Sequence, residues 1–130
     1  MADVKILATG LGFPEGPVVC ADGSVVLTEI RNQRCSRVTP DGKVGVFCNC
    51  GGGPNGLAIG PDGYFYLCNN GGNRYVDGHS MGLGPHPDYK FGTVERIDPK
   101  SEGAVQGSER PSAVGAQRPC VRQGRRLLFH

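Results

Sequence analysis

The sequence lacks the features that would place the chain in a membrane or in the secretory pathway. Its first ten residues have neither the basic start nor the long apolar core of a signal peptide. No run approaches the ~18 apolar residues of a membrane span. The formal net charge of the 130 residues is +2, too small to argue for binding to nucleic acid or to membranes. We therefore expect a soluble, cytoplasmic protein with neither kind of partner.

Long helical windows are also scarce, whereas turn-forming residues are abundant. Gly at 22 and Pro at 10 together make up about a quarter of the chain. This composition predicts an all-β protein of short strands joined by tight turns. Without a secretory signal, the six cysteines are expected to be free thiols rather than a disulfide framework. They stand at positions 20, 35, 48, 50, 68 and 120.

One stretch of 14 residues occurs twice, 40 residues apart. Residues 14–27 read PEGPVVCADGSVVL, and residues 54–67 read PNGLAIGPDGYFYL. Pro, Gly and Asp-Gly coincide, and in each copy the Asp-Gly pair separates two β-rich runs, as in a hairpin. The two copies differ in charge at one position, where the acidic Glu15 corresponds to the neutral Asn55.

The repeat predicts the architecture. Strands are expected at 4–12, 16–20, 24–30, 34–39, 43–48, 55–60, 64–69 and 92–99. Four antiparallel strands in about 40 residues, followed by a restart, are typical of a β-propeller blade. We expect one blade at about 13–50 and a second at about 53–106. An insertion within 71–91 is expected to form a surface loop of the second blade.

The end of the chain differs in composition from the rest. Residues 107–130 hold five Arg against one acidic residue, whereas residues 1–106 hold nine Lys or Arg against eleven Asp or Glu. One hypothesis is a basic disordered tail that binds an acidic partner. The other is a shifted reading frame, because reading one base later can encode N-D-L-V-F-D and then G-G-F-Y-F, similar to the second copy.

Two blades are too few for a closed propeller, which needs at least four. The sequence is therefore expected to be the N-terminal portion of a larger protein. Its exposed sheet edges would favour self-association.

Several motifs together resemble the senescence-marker-protein/gluconolactonase/luciferin-regenerating-enzyme family. They are FPEGP at 13–17, GGGPNG at 51–56, CNNGG at 68–72 and ERID at 95–98. The resemblance covers about residues 10–106. It implies a six-bladed propeller that holds one divalent metal, usually calcium, in its central channel and hydrolyses sugar lactones or related esters.

The resemblance also implies roles for individual residues. Glu15 matches the first metal ligand of the family, and Asn55 matches a channel-facing position that could contact substrate. The other protein ligands of the family, an Asn and an Asp, come from later blades and have no counterpart here. The expectation is a truncated lactone hydrolase that is inactive alone and has no identifiable catalytic residue.

Each of these assignments has an alternative. Glu15 could be a solvated acid at a strand end, and Asn55 a turn residue that satisfies local backbone groups. The whole chain could be a non-catalytic β-rich module that binds a partner through blade edges or through its basic tail.

Other polar residues are expected to be structural. Glu29 and Asn69 end the equivalent second strands of the two copies. We expect their polar side chains to be exposed to solvent; the alternative is that both point toward the same central channel. Cys48 and Cys50 should point to one face of a strand. Without a second cysteine pair they are expected to pack rather than to bind zinc.

The insertion carries two histidines, His79 and His86, close to Asp77 and Asp88. The favoured interpretation is an ordinary solvated loop. The alternative is a lid that contacts a metal or substrate.

Overall fold

The computed structural model of the chain describes residues 3–79, 81–101 and 127–128. It is an all-β structure of two antiparallel sheets, which confirms the all-β part of the prediction. The first sheet has the order β1 (Pro14–Val19), β2 (Val25–Glu29), β3 (Arg34–Val38), β4 (Val44–Asn49). The second has the order β5 (Pro54–Ile59), β6 (Phe65–Asn69), β7 (Thr93–Ile97), β8 (Leu127–Leu128).

Helix is almost absent from the described part of the chain, which has one short 3-10 turn at Pro99–Ser101. No described helix is long and apolar enough to cross a membrane. The two hypotheses about residues 107–130 concern a segment that, apart from β8, lies outside the described residues.

The strands follow the sequence repeat. β5 and β6 begin 40 residues after β1 and β2, as the alignment of the two copies predicts. In the first hairpin, the Cys20 amide donates to the Ser24 carbonyl at 2.8 Å, and Gly23 has a φ of 82°. The second hairpin repeats this turn, with the Gly60 amide donating to the Tyr64 carbonyl at 2.9 Å. The positive φ explains why each turn carries glycine after aspartate.

The repeat extends to side-chain contacts between the turn and the third strand. Arg37 on β3 donates to Asp22 at 3.3 Å, and Arg96 on β7 donates to Asp62 at 3.1 Å. The Arg96 guanidinium also lies over the Tyr64 ring, 3.4 Å from its centroid. Because these ion pairs lie at the surface, they contribute little to stability. They do show that the two sheets make equivalent contacts between the turn and the third strand.

The predicted strand at 4–12 is wrong. Residues 4–12 form no strand, and the side chains of Val4 and Ile6 are 93% and 76% exposed. Alternating apolar residues suggested a strand, but a strand also needs a neighbour for its backbone hydrogen bonds. No described strand pairs with this segment.

The segment between β6 and β7 is mostly loop. Among its described residues, regular pairing is limited to a bridge between Asn73 and Pro85. Arg31, which follows β2, reaches this segment: it donates to the His79 carbonyl at 3.4 Å and lies 3.9 Å from the Asp77 carboxylate. The loop that interrupts the second sheet is therefore in contact with the first.

The core lies between the two sheets. Phe47 on β4 meets Phe65 on β6 edge to face, with ring centroids 5.0 Å apart. Both rings are almost fully buried. The other buried members come from both sheets: Val26, Cys35, Cys48, Cys50, Leu67 and Ile97. One shared core therefore holds the sheets together.

Candidate functional site

Glu15 and Asn55 are brought together at the starts of β1 and β5. The buried Thr28 hydroxyl on β2 donates a hydrogen bond shared between the carbonyls of Glu15, at 3.0 Å, and Asn55, at 3.1 Å. Both side chains are exposed. The two equivalent positions of the repeat thus lie next to each other, and we call them the strand-start pair.

A glycine makes this close approach possible. Gly16 has a φ of 51°, and a β-carbon added there would lie 2.7 Å from the Leu57 amide nitrogen. The register of β1 shifts between Glu15 and Val18, which marks a bulge in the strand. Bulges redirect neighbouring side chains and are common beside functional sites. The position after Glu15 therefore has room for glycine alone.

The strand-start pair is not a complete cation site. Among the described residues, the group of three potential ligand side chains that lie close together is elsewhere, at Cys35, Cys48 and Cys50. The histidines of the insertion do not belong to that group; His86 makes a local contact of 3.6 Å with Asp88. The strand-start pair thus offers one carboxylate and one amide.

Glu29 is fully buried, so the expectation of an exposed strand end is wrong for this residue. Its carboxylate accepts hydrogen bonds from the Gly12 amide at 2.6 Å and from the Arg34 Nε at 2.7 Å. The side chains of Asn32 and Ser36 donate to it as well. Burial raises the pKa of Glu29, but these four donors outweigh burial, and the net pKa lies below the ordinary value of 4.5.

Asn69 is also buried, so the same expectation is wrong for it. Its amide oxygen accepts from the backbone amides of Gly53 at 2.8 Å and Gly71 at 3.0 Å. Its nitrogen donates to the Gly51 carbonyl at 2.9 Å. In both sheets, the residue that ends the second strand anchors the loop that leads into the first strand.

The cysteines form a cluster that the sequence interpretation only half recognised. The sulfurs of Cys48 and Cys50 are 3.5 Å apart, so the two side chains lie on one side, as predicted, although β4 ends at Asn49 and Cys50 follows it. Cys35 joins them from β3, its sulfur 3.5 Å from that of Cys50. Contact with Cys35 and burial raise the pKa of the Cys50 thiol. The register of the β3–β4 hairpin pairs Cys35 directly with Cys48, and this pairing could have placed Cys35 in the cluster.

No protein-family model and no curated protein matches the chain. The strand-start pair and the cysteine cluster are therefore the features of the chain that bear on its function.

The Thr28 hydrogen bond gives a direct test of the strand-start pair. Replacing Thr28 by Val keeps its shape but leaves two carbonyls without their shared donor. We expect the free energy of unfolding to fall by about 1–3 kcal/mol. Denaturant unfolding measures this loss. The Thr28→Ser variant keeps the hydroxyl, and a loss as large as that of Thr28→Val would show that the hydrogen bond is not the cause.

Proposed function

We propose that the two sheets are successive blades of a β-propeller and that the strand-start pair is part of a divalent-metal site of the lactone-hydrolase type. The observation that carries the proposal is the hydrogen bond of the Thr28 hydroxyl, which is shared between the backbone carbonyls of Glu15 and Asn55. It supports a ring-like arrangement, because the first strands of consecutive blades lie side by side around a propeller axis. The repeated strand order and the shared core are consistent with this arrangement.

In this proposal Glu15 supplies one ligand to the metal, and Asn55 contacts the substrate. Calcium takes six to eight oxygen ligands, and a carboxylate is a suitable one. In hydrolases of this type a bound metal polarises the carbonyl that is attacked. The described residues supply too few oxygen ligands for a full site, so no reaction step is assigned to them. The chain contributes part of such a site and does not turn over a lactone alone.

Manganese broadening of amide signals in NMR spectra tests the metal assignment. Mn²⁺ should broaden the amide signals of residues 15, 16, 55 and 56 at lower Mn²⁺ concentrations than the signals of other residues, because only nuclei near the ion relax rapidly. The Glu15→Gln variant should lose this pattern. The matched control is Asp77→Asn, which removes a fully exposed acid of the loop and should leave the pattern intact. Broadening centred elsewhere, or unchanged in Glu15→Gln, would contradict the proposal.

Lactone turnover tests whether the site is incomplete. With calcium and a sugar δ-lactone, hydrolysis should not exceed the spontaneous rate. Calcium-dependent turnover that disappears in Glu15→Gln would show instead that the chain holds a complete site.

A second candidate function is a binding module without catalysis. The observation that favours it is the edge of the first sheet, where Val44 and Val46 on β4 are each 43% exposed. An apolar edge strand can pair with another chain, including a second copy. This candidate predicts a larger sedimentation coefficient at higher protein concentration, reversed by Val46→Lys. A monomer at all concentrations would count against association through this edge.

A further inference from the structure

The cluster of Cys35, Cys48 and Cys50 has the spacing of a metal site. Two of its sulfur–sulfur distances are 3.5 Å, and all three sulfurs lie within 4.8 Å of one another. Thiolates bound to zinc at about 2.3 Å in a tetrahedral arrangement lie about 3.8 Å apart. Small side-chain adjustments would therefore place one ion in contact with all three sulfurs.

Regular backbone structure holds the cluster in place. Cys35 pairs with Cys48 across β3 and β4, and Cys50 lies one residue after the end of β4. Just after β4, the Cys50 amide donates to the Gln33 carbonyl at 3.0 Å, which fixes the end of the strand against the preceding turn. Two of the three ligands, Cys35 and Cys48, therefore lie on strands, where ligands are held more accurately than on loops.

We propose that the reduced protein binds one zinc-like ion through Cys35, Cys48 and Cys50. Thiolates select zinc and copper(I), whereas calcium requires oxygen ligands. All three side chains are buried, so a bound cation would offset the cost of placing thiolate charge away from water. The site is separate from the strand-start pair and goes beyond the proposed function.

Cys48 is disulfide-bonded, so the expectation of free thiols is wrong for this residue, and reduction is a condition of the proposal. A phosphine reductant and one water molecule convert the disulfide into two thiols, while the phosphine becomes its oxide. Metal binding then releases one proton from each of the three cluster thiols. The site is therefore expected under reducing conditions and not after oxidation.

Cobalt titration of the reduced protein tests the site, since Co²⁺ bound to thiolates absorbs through sulfur-to-metal charge transfer. The best chain for the test carries Cys20→Ser, Cys68→Ser and Cys120→Ser together, which leaves the cluster as its only cysteines. We expect one Co²⁺ per chain with a charge-transfer band, and displacement of Co²⁺ by Zn²⁺. A chain that shows no such band would overturn the proposal.

Single variants identify the ligands. Cys50→Ser in the full chain should weaken cobalt binding by more than the roughly 10–100-fold that loss of an outer-shell contact costs. Cys68→Ser, at an exposed position, should bind as the unmodified chain does. An equal loss in both variants would refute the assignment. Glu15→Gln should also bind normally, so this result does not depend on the proposed function.

Folding is monitored separately, because a serine at position 50 could unfold the core. Circular dichroism shows whether the Cys50→Ser variant is folded. If it is not, thermal unfolding of the chain that keeps only the cluster cysteines decides the question: Zn²⁺ should raise its melting temperature. An unchanged melting temperature would mean that the cysteines only pack.

Discussion

Replacing Glu29 by Ala is expected to lower the free energy of unfolding by about 3–5 kcal/mol, the cost of breaking a buried ion pair. The Glu29 carboxylate is fully buried and receives four donors, one of them the Arg34 guanidinium. Without the carboxylate, the Gly12 amide and the Ser36 hydroxyl lose their acceptor inside the protein. Chemical denaturation followed by circular dichroism measures the loss.

Two Glu→Gln variants provide the control. Glu29→Gln keeps the shape but removes the charge, and we expect a loss of about 1.5–3 kcal/mol. Glu15→Gln makes the same chemical change at an exposed position of the neighbouring strand and should shift stability by no more than about 0.5 kcal/mol. Equal effects of the two would mean that the four donors do not stabilise the fold.

The pH dependence of stability should show the same contribution. The pKa of Glu29 lies below 4.5 in the folded chain, so the folded state favours the ionised carboxylate. Its stabilising contribution is therefore present above pH 4.5 and is lost as the pH falls through the folded pKa. The stability difference between the unmodified chain and Glu29→Gln should shrink over this range. A difference independent of pH would rule out charge as the source.

Replacing Phe47 by Ala should cost about 3–5 kcal/mol, as removal of a buried aromatic ring usually does. Phe47 is 1% exposed and lies in the core that the two sheets share. Its ring packs against Phe65 and lies under the Arg37 guanidinium, 5.3 Å from the ring centroid. Denaturant midpoints before and after the substitution report the change.

A second phenylalanine serves as the matched control. Phe91 in the loop is 38% exposed, and its replacement by Ala should cost much less. A double-mutant cycle of Phe47→Ala with Phe65→Ala should return a coupling of about 0.5–1.5 kcal/mol for the aromatic pair. Zero coupling would show that the rings do not contact each other in solution.

The strand pattern could be predicted from the sequence because it depends on short-range signals. The Asp-Gly turns at 22–23 and 62–63 and the 40-residue offset locate β1, β2, β5 and β6 within one or two residues. The same signals failed at 4–12, where pairing depends on a partner that periodicity does not reveal.

The polar interior was harder to predict because it depends on contacts between distant segments. The sequence predicts an exposed strand end at Glu29. The residue is buried because the loop at Gly12, 17 residues away in sequence, folds over it. Asn69 is buried in the same manner by the glycines at 51–53. The third cysteine of the cluster comes from another strand, so only the strand register reveals it.

The two copies of the repeat anchor their loops at the same position with different chemistry. Glu29 does so as a charged carboxylate, and Asn69 as a neutral amide. Protons can therefore weaken the anchor of the first unit and have no equivalent target in the second. An array built from copies of the first unit would lose a loop anchor in every unit on acidification, whereas an array built from copies of the second would keep its anchors.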